Sequence, residues 1–265
     1  MTHAVLSHDH PLVFAHRGGS RLRPENTIAA FDNGLACGAD GLEFDVRLSR
    51  DGVVMVHHDE TLERTTNGSG PLSAQTADAL AQLDAGWHFT DIDGQAWRGR
   101  GCTIPRLDEV LARYQDIPIV MELKGRDPDV ARQAVAVARA AGAIDRICFA
   151  GFEDAVVRTA RAEGADIVSS AAREEIRWFL YRSWAACAPR HTAFQAIQAP
   201  EKAGRLRVVS PRLVRAATRA GLPVAVWTVD DPADMTRLLD WGVRGLISDR
   251  PDLAARAVRQ WWAAR

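Results

Sequence analysis

The sequence predicts an α/β protein that folds as one (β/α)8 barrel, a TIM barrel, with a small insertion after the second strand. Short β-like runs alternate with helical patterns from one end of the chain to the other, which is typical of parallel strands joined by crossover helices. The 265 residues are 47% hydrophobic and 25% charged, a composition typical of a globular protein with a large core. Because a barrel of this length commonly forms one unit, we expect residues 1–265 to be a single domain.

Eight apolar runs account for the strands of the predicted barrel. They occupy residues 12–16, 41–48, 118–123, 146–150, 166–170, 193–198, 222–228 and 242–248. The helical patterns between them occupy residues 27–37, 107–114, 129–141, 155–163, 211–220 and 232–241. Several of these helices are followed by a glycine, which accepts the left-handed backbone that closes a helix before the next strand.

One long connection interrupts this alternation, between the second strand and the helix predicted to begin at residue 107. It is roughly sixty residues long, far beyond an ordinary strand-to-helix loop. It begins with the turn Asp51-Gly52 and a further strand at 53–58, which predicts a hairpin with the end of the second strand. We expect this insertion, at about residues 51–105, to cap the barrel mouth that holds the active site.

Charge and cysteine content argue against several classes of function. Lys and Arg number 33 against 34 Asp and Glu, so no global positive field exists that would recruit nucleic acid. The cysteines have no zinc-type spacing and lie in apolar contexts, so we expect buried thiols; they are Cys37, Cys102, Cys148 and Cys187. The N-terminal residues lack a signal-peptide pattern and no apolar run has the length of a membrane span, so we expect a cytoplasmic protein.

The second predicted strand places carboxylates on the inner face of the barrel. Alternation along 41–47 puts the apolar side chains on one face and Glu43, Asp45 and Arg47 on the other. Two such carboxylates, about 7 Å apart, repel by roughly 2–3 kcal/mol at an effective dielectric near 20. The third strand adds Glu122 in the same way. Three oxygen donors favour Mg²⁺ or Ca²⁺ over zinc, although these acids could instead pair with basic residues inside the barrel.

Two histidines are candidates for proton transfer. His16 closes the first strand, where a barrel delivers side chains to its catalytic face. His58 ends the inserted strand beside Asp59, and a second imidazole near the same mouth would supply the acid and the base that cleavage of a phosphodiester requires. His57 lies on the opposite face of that strand, so we expect it to be structural.

A set of short motifs follows the chain in a fixed order. The motifs are His16-Arg17-Gly18, Pro24-Glu25-Asn26-Thr27, Glu43-Phe44-Asp45-Val46, His58-Asp59, Glu122-Leu123-Lys124, Trp227-Thr228-Val229 and Ser248-Asp249-Arg250-Pro251. In order and spacing they resemble those of the glycerophosphodiester phosphodiesterase family over nearly the whole chain. An ordered set of this kind is far more specific than any motif within it.

The resemblance implies metal-dependent hydrolysis of glycerophosphodiesters to glycerol 3-phosphate and an alcohol. It implies one divalent cation, Mg²⁺ or Ca²⁺, as the cofactor. It implies that the cation ligands are Glu43, Asp45 and Glu122. It implies that His16 and His58 form the acid–base pair, with an internal attack that gives a cyclic glycerol phosphate before water opens the ring. It also implies a small-molecule substrate bound by four side chains, namely Arg17, Lys124, Phe152 and Trp227. Plain core packing is the alternative for Trp227.

A lysophospholipase D that acts on lysophospholipids is the alternative enzyme, and apolar surface near the mouth would favour it. An aromatic and apolar cluster follows the fifth strand, made of Trp178, Phe179, Leu180, Tyr181 and Trp184. Such a cluster could form a rim with weak lipid contact, but we expect it to be the buried side of a barrel helix. A non-catalytic barrel that binds phosphodiesters is a third interpretation, disfavoured because the acids, both histidines and both phosphate-binding cations are present.

Overall fold

The computed structural model describes residues 3–6, 8–185, 189 and 191–265. The strands, in chain order, are β1 (Leu12–His16), β2 (Gly41–Leu48), β3 (Val54–Val56), β4 (Ile119–Leu123), β5 (Ile147–Ala150), β6 (Val168–Ser169), β7 (Ile197–Pro200), β8 (Lys202–Ala203), β9 (Leu206–Arg207), β10 (Val224–Trp227) and β11 (Gly245–Ser248). The helices are α1 (Ile28–Ala36), α2 (Ala77–Leu80), α3 (Leu107–Arg113), α4 (Asp129–Ala140), α5 (Asp154–Ala162), α6 (Arg173–Trp184), α7 (Pro211–Arg219), α8 (Pro232–Asp240) and α9 (Pro251–Ala263).

Eight parallel strands form the barrel wall in the order β6-β5-β4-β2-β1-β11-β10-β7. The two ends of this sheet meet where Ser170 bridges Ala196 in parallel. Two backbone bonds of 2.9 Å hold that junction, from Gln195 N to Ser169 O and from Ala171 N to Ala196 O. The predicted (β/α)8 fold is therefore confirmed.

The predicted strands and helices agree with the observed ones to within a few residues. The largest difference among the strands is at β7, which lies at Ile197–Pro200 where residues 193–198 were predicted. The sequence did not predict the hairpin formed by β8 and β9, whose residues are exposed and pair through Lys202 and Arg207. Because this hairpin is short and lacks a buried face, it carries no apolar alternation that would reveal it.

The barrel interior is apolar at one end and charged at the other. The apolar end is filled by a cluster that includes Leu12, Phe14, Val120, Cys148 and Ile247. Two larger apolar clusters lie outside the barrel wall, between strands and helices, and one of them contains the outward-facing side chains of β2. The alternation predicted for β2 is thus confirmed, and its inward-facing carboxylates lie at the charged end.

The insertion is anchored to the barrel by β3, which pairs antiparallel with the end of β2 as predicted, with Val56 opposite Val46. It has a small apolar core of its own that includes Met55, Leu62 and Leu72. This core holds the connections after β3 in place without a long helix or strand. The position of His58, directly after β3, is consequently fixed by both the barrel and the insertion.

The cysteines and the helices bear on two further expectations. Cys102 and Cys148 are buried thiols as predicted, Cys37 is half-buried, and Cys187 lies outside the described residues. Among the described residues, no helix combines the length and the apolar character needed to cross a bilayer.

Candidate active site

Three carboxylates meet at the charged end of the barrel. Glu43 and Asp45 lie on β2, and the register of the neighbouring strand places Glu122 of β4 directly beside Asp45. One oxygen of each residue lies within 4.8 Å of the others, and Glu43 and Asp45 are only 5% and 1% exposed. Parallel strands with inward-facing acids therefore bring together the three residues that the sequence suggested as cation ligands.

The oxygen atoms of this group have few protein partners. Asp45 Oδ1 and Glu122 Oε1 are buried and accept no well-directed hydrogen bond from any described residue. The ammonium group of Lys124 lies 3.1 Å from Asp45 Oδ1 and 2.7 Å from Glu122 Oε1. Buried carboxylate oxygens without hydrogen bonds are unfavourable unless another positive charge contacts them, so these residues fit a hard divalent cation.

Burial and mutual repulsion perturb the titration of the three acids. Burial, reinforced by Asp45 and Glu122, raises the pKa of Glu43 to about 7. Burial and the charge of Asp45 also raise the pKa of Glu122. Burial alone would raise the pKa of Asp45 too, but Lys124 and Arg17 lower it below its usual range. In the metal-free protein the cluster therefore retains protons that a bound cation must displace.

His16 is held from its Nδ1 side. Asp249, after β11, places Oδ1 at 2.5 Å from His16 Nδ1, and the same oxygen accepts a 2.6 Å hydrogen bond from Ser20 Oγ. His16 Nε2 lies 3.8 Å from Glu43 Oε2. Burial lowers the pKa of His16, but Glu43 and Asp249 outweigh it and raise the pKa to about 9. The ring is thus oriented by a carboxylate, with Nε2 directed toward the acid cluster.

His58 is held in the same manner by the residue that follows it. Asp59 Oδ1 lies 2.6 Å from His58 Nδ1, and Arg64 in turn pairs with Asp59 Oδ2. Burial lowers the pKa of His58 below its usual value, so the imidazole is neutral near pH 7. With Asp59 accepting the Nδ1 hydrogen, the free lone pair lies on Nε2.

Arg17 reaches the acids through an unusual backbone conformation. Its φ is +51°, its N–H donates to Glu43 Oε2 at 3.2 Å, and its carbonyl accepts from Asn26 N at 2.9 Å. Its Nε lies 3.2 Å from Asp45 Oδ2. The next residue must be glycine, because Gly18 has a φ of +86° and an added Cβ would lie 2.6 Å from the backbone of Ala30.

One cavity of about 450 Å³ is lined by both histidines, Arg17, Lys124 and two of the acids, as well as by apolar residues from β7 to α7. Phe152 and Trp227 also line it, and their rings meet edge to face at 5.7 Å. The ammonium group of Lys124 lies 5.7 Å from the centroid of Phe152. Eight of the nine residues suggested by the sequence therefore line this cavity, and the ninth, Asp45, lies beneath its surface.

The expectation that α6 buries its aromatic cluster is wrong for three of the five residues. Phe179 and Leu180 are buried, whereas Trp178, Tyr181 and Trp184 are 44%, 52% and 46% exposed. The three exposed residues recur at every third position and so share the helix face opposite the buried pair. A dense aromatic run does not show which helix face is buried.

Four charged residues with a part in this site were given no role from the sequence, although three of them stand in the motifs named above; they are Glu25, Asp59, Arg64 and Asp249. The position of Asp59 beside His58 and of Asp249 at the end of the last strand were usable signals. The sequence carries no usable signal for the ion pair between Glu25 and Arg64, because it joins two loops that are 39 residues apart.

Comparisons with known proteins agree on one family. The chain matches the model of the glycerophosphoryl diester phosphodiesterase family over residues 16–253. A glycerophosphodiester phosphodiesterase of Caldanaerobacter subterraneus subsp. tengcongensis is 34% identical over 254 residues, covering 94% of this chain and 98% of the relative. The crystal structure of a glycerophosphodiester phosphodiesterase from Agrobacterium tumefaciens is 30% identical with a TM-score of 0.74, covering 92% of this chain and 99% of that one. An Oleispira antarctica phosphodiesterase, solved in complex with the product sn-glycerol-3-phosphate, is 26% identical with a TM-score of 0.75, covering 94% and 97%.

Proposed function

The chain belongs to the glycerophosphoryl diester phosphodiesterase family, and we propose that it hydrolyses glycerophosphodiesters to glycerol 3-phosphate and an alcohol. One observation carries the proposal: three clustered carboxylates and two imidazoles, each imidazole held by a carboxylate at Nδ1, surround a single cavity. Cleavage of a phosphodiester needs charge neutralisation and two proton transfers. The cavity offers residues for each of these tasks.

Glu43, Asp45 and Glu122 are the residues that would hold one divalent cation, Mg²⁺ or Ca²⁺. All three offer oxygen donors within 4.8 Å of one another, and two buried oxygens lack a well-directed hydrogen bond from any described residue. When bound, such a cation neutralises phosphate charge and lowers the pKa of a coordinated hydroxyl group. The absence of cysteine and histidine from this donor set favours a hard cation over zinc.

His58 is the better candidate for the base and His16 for the acid. The lowered pKa of His58 keeps its imidazole neutral, and Asp59 accepts from Nδ1, so Nε2 is free to take a proton from the attacking hydroxyl group. His16 Nε2 would then donate a proton to the departing alcohol, with Asp249 holding the opposite nitrogen. The two rings act from Nε2, and each carboxylate stabilises the protonated form of its imidazole.

Arg17 and Lys124 would bind the phosphate. Burial opposes their charge, but the neighbouring acids raise the pKa of both groups, so both stay protonated. A forked guanidinium and a compact ammonium suit two oxygens of one phosphodiester. Phe152 and Trp227 would form the less polar wall against which the glycerol carbons or the alcohol pack.

A product assay tests this function directly. The metal-free protein would be incubated with Mg²⁺, Ca²⁺ or Mn²⁺ and with glycerophosphodiesters of several alcohols, and glycerol 3-phosphate and alcohol would be measured separately. We expect both products in equal amounts, and their loss in the Glu122→Gln variant. If no metal and substrate combination gives hydrolysis, the enzyme assignment is wrong and a non-catalytic, phosphodiester-binding barrel takes its place.

A lysophospholipase D activity is the second candidate, and the exposed face of α6 favours it. Tyr181 and Leu206 line the cavity and are 52% and 40% exposed, and Trp178 and Trp184 extend the apolar surface along the helix. An acyl chain leaving the cavity would cover such a surface. Release of choline from lysophosphatidylcholine, compared with glycerophosphocholine, separates the two activities, and Tyr181→Ser should reduce only the first.

A further inference from the structure

A chain of ion pairs joins two residues that line the cavity. Arg17 Nη1 donates to Glu25 Oε1 at 2.9 Å. Both oxygens of Glu25 accept from Arg64, at 2.7 and 2.8 Å. Arg64 Nε pairs with Asp59 Oδ2, and Asp59 Oδ1 lies 2.6 Å from His58 Nδ1. Basic and acidic side chains alternate from Arg17, after β1, to Asp59, and the chain ends at the imidazole of His58, after β3.

Arg64 is the member that connects the two loops. One edge of its guanidinium meets both oxygens of Glu25, while its Nε meets the other carboxylate. A planar guanidinium can meet one carboxylate with two N–H groups and a second with Nε, whereas an ammonium group is a point charge without this fixed fork. The turn that carries Arg64 is itself fixed, because Leu62 is buried in the core of the insertion and Thr66 donates to its carbonyl at 2.8 Å.

We propose that Arg64 is a positioning residue of the reaction, which sets the distance and orientation between the phosphate-binding Arg17 and the proton-transferring His58. This inference rests on the proposed phosphodiesterase function. Among the described residues that line the cavity, Arg17 and His58 are present and Arg64 is not. Arg64 therefore acts through Glu25 and Asp59 rather than by touching substrate.

Without Arg64, two carboxylates lose their shared partner. Asp59 would then be free to turn away from His58 Nδ1, and Glu25 would retain Arg17 as its cation. Displacement of a reacting group by about 1 Å can reduce turnover by about 100-fold. The acid cluster is supported by β2 and β4, and Arg17 should keep its contacts with Glu43 and Asp45 without Arg64. Loss of Arg64 should consequently lower kcat and leave cation binding intact.

The test is chemical rescue. Arg64→Ala should lower kcat about 10- to 100-fold with KM changed less than about threefold, and millimolar guanidinium chloride should restore several-fold activity where equal sodium chloride does not. Arg64→Lys should stay close to Arg64→Ala, since an ammonium lacks the fixed fork that meets Glu25 with two N–H groups and Asp59 with a third. Arg98→Ala is the matched control in the same insertion, because Arg98 contacts Trp87, through its carbonyl and its ring, and is not among the described residues that line the cavity; it should turn over like the wild type.

A second variant covers the case in which Arg64→Ala fails to fold. Glu25→Gln breaks the same chain at the next position and should lower kcat similarly without guanidinium rescue. The double variant that carries Arg64→Ala and Glu25→Gln should lose no more kcat than the worse single variant, because both substitutions interrupt the same chain of ion pairs. Wild-type kcat in Arg64→Ala, or a loss that guanidinium leaves unchanged, would overturn the inference while the phosphodiesterase assignment stands. A wild-type protein that hydrolyses no glycerophosphodiester would overturn both.

Discussion

Cation binding should be linked to the titration of Glu43. In the metal-free protein, burial and the neighbouring acids raise the pKa of Glu43 to about 7, so the carboxyl group is largely protonated at pH 6 and largely ionised at pH 8. A cation binds the ionised form and displaces the proton. The affinity for Ca²⁺ or Mg²⁺ should therefore rise by about tenfold from pH 6 to pH 8, with the steep part below pH 7.

The raised pKa of Glu43 also makes the metal-free protein less stable as pH rises, whereas it makes cation binding tighter. Because the folded-state pKa of Glu43 lies above its unfolded value of 4.5, the contribution of this group to the free energy of unfolding is largest below pH 4.5 and is lost as pH rises to about 7. Saturating cation should restore it, since a ligand at 100 times its Kd stabilises the folded state by about 2.7 kcal/mol. The cation-induced rise in Tm should hence be larger at pH 8 than at pH 6.

Isothermal titration calorimetry in buffers of different ionisation enthalpy measures this linkage. If Glu43 is the one group that loses its proton, binding should release about half a proton per cation at pH 7 and about 0.9 of a proton at pH 6. His16→Gln serves as the control, because it removes the neighbouring imidazole and keeps the three acids; the proton released by this variant belongs to the acid cluster. A Kd that is constant from pH 6 to pH 8, with no proton release, would refute the reasoning.

Three further predictions concern the histidines and the loop that carries one of them. His16→Ala and His58→Ala should each lower kcat at least about 100-fold in the product assay while calorimetry shows retained cation binding, and near wild-type turnover at saturating cation would remove the residue from its role. Asp249→Asn should lower kcat by about 100-fold or more without a matching change in KM, because a neutral amide no longer stabilises the protonated His16 ring that donates to the departing alcohol; equal losses in cation affinity would instead indicate a disturbed acid cluster. Gly18→Ala should destabilise the protein by about 2–4 kcal/mol in urea unfolding, since the new Cβ meets the backbone of Ala30 in a left-handed conformation, and an unchanged midpoint would contradict the close packing.

The barrel strands were predictable because their side chains alternate between two different environments. On β2 the outward side chains pack against helices and the inward ones meet in the acid cluster, so the period of two in the sequence indicates both strand and face. The meeting of Glu122 with Asp45 follows from parallel strand order, and that order needed only the alternation of strands and helices.

Features that depend on loop geometry were not predictable in this way. Arg64 and Glu25 carry no periodic pattern, and their contact exists only because two loops approach each other over the mouth. The exposed face of α6 was missed for a related reason: Phe179 and Leu180 lie on its buried side and two tryptophans and a tyrosine on the other, so the sequence gives no single apolar stripe. Pairing between loops and helix rotation are set by tertiary packing.

Strands support the acids and loops support the imidazoles, so substitutions should be able to affect cation binding and proton transfer separately. The acids project from β2 and β4, whose pairing fixes their spacing, whereas the imidazoles of His16 and His58 depend on carboxylates supplied by loops. A substitution that disturbs the strands should therefore change cation affinity first. A substitution in the supporting loops should change kcat first, because proton transfer is sensitive to small displacements of a ring that is not among the residues that would hold the cation.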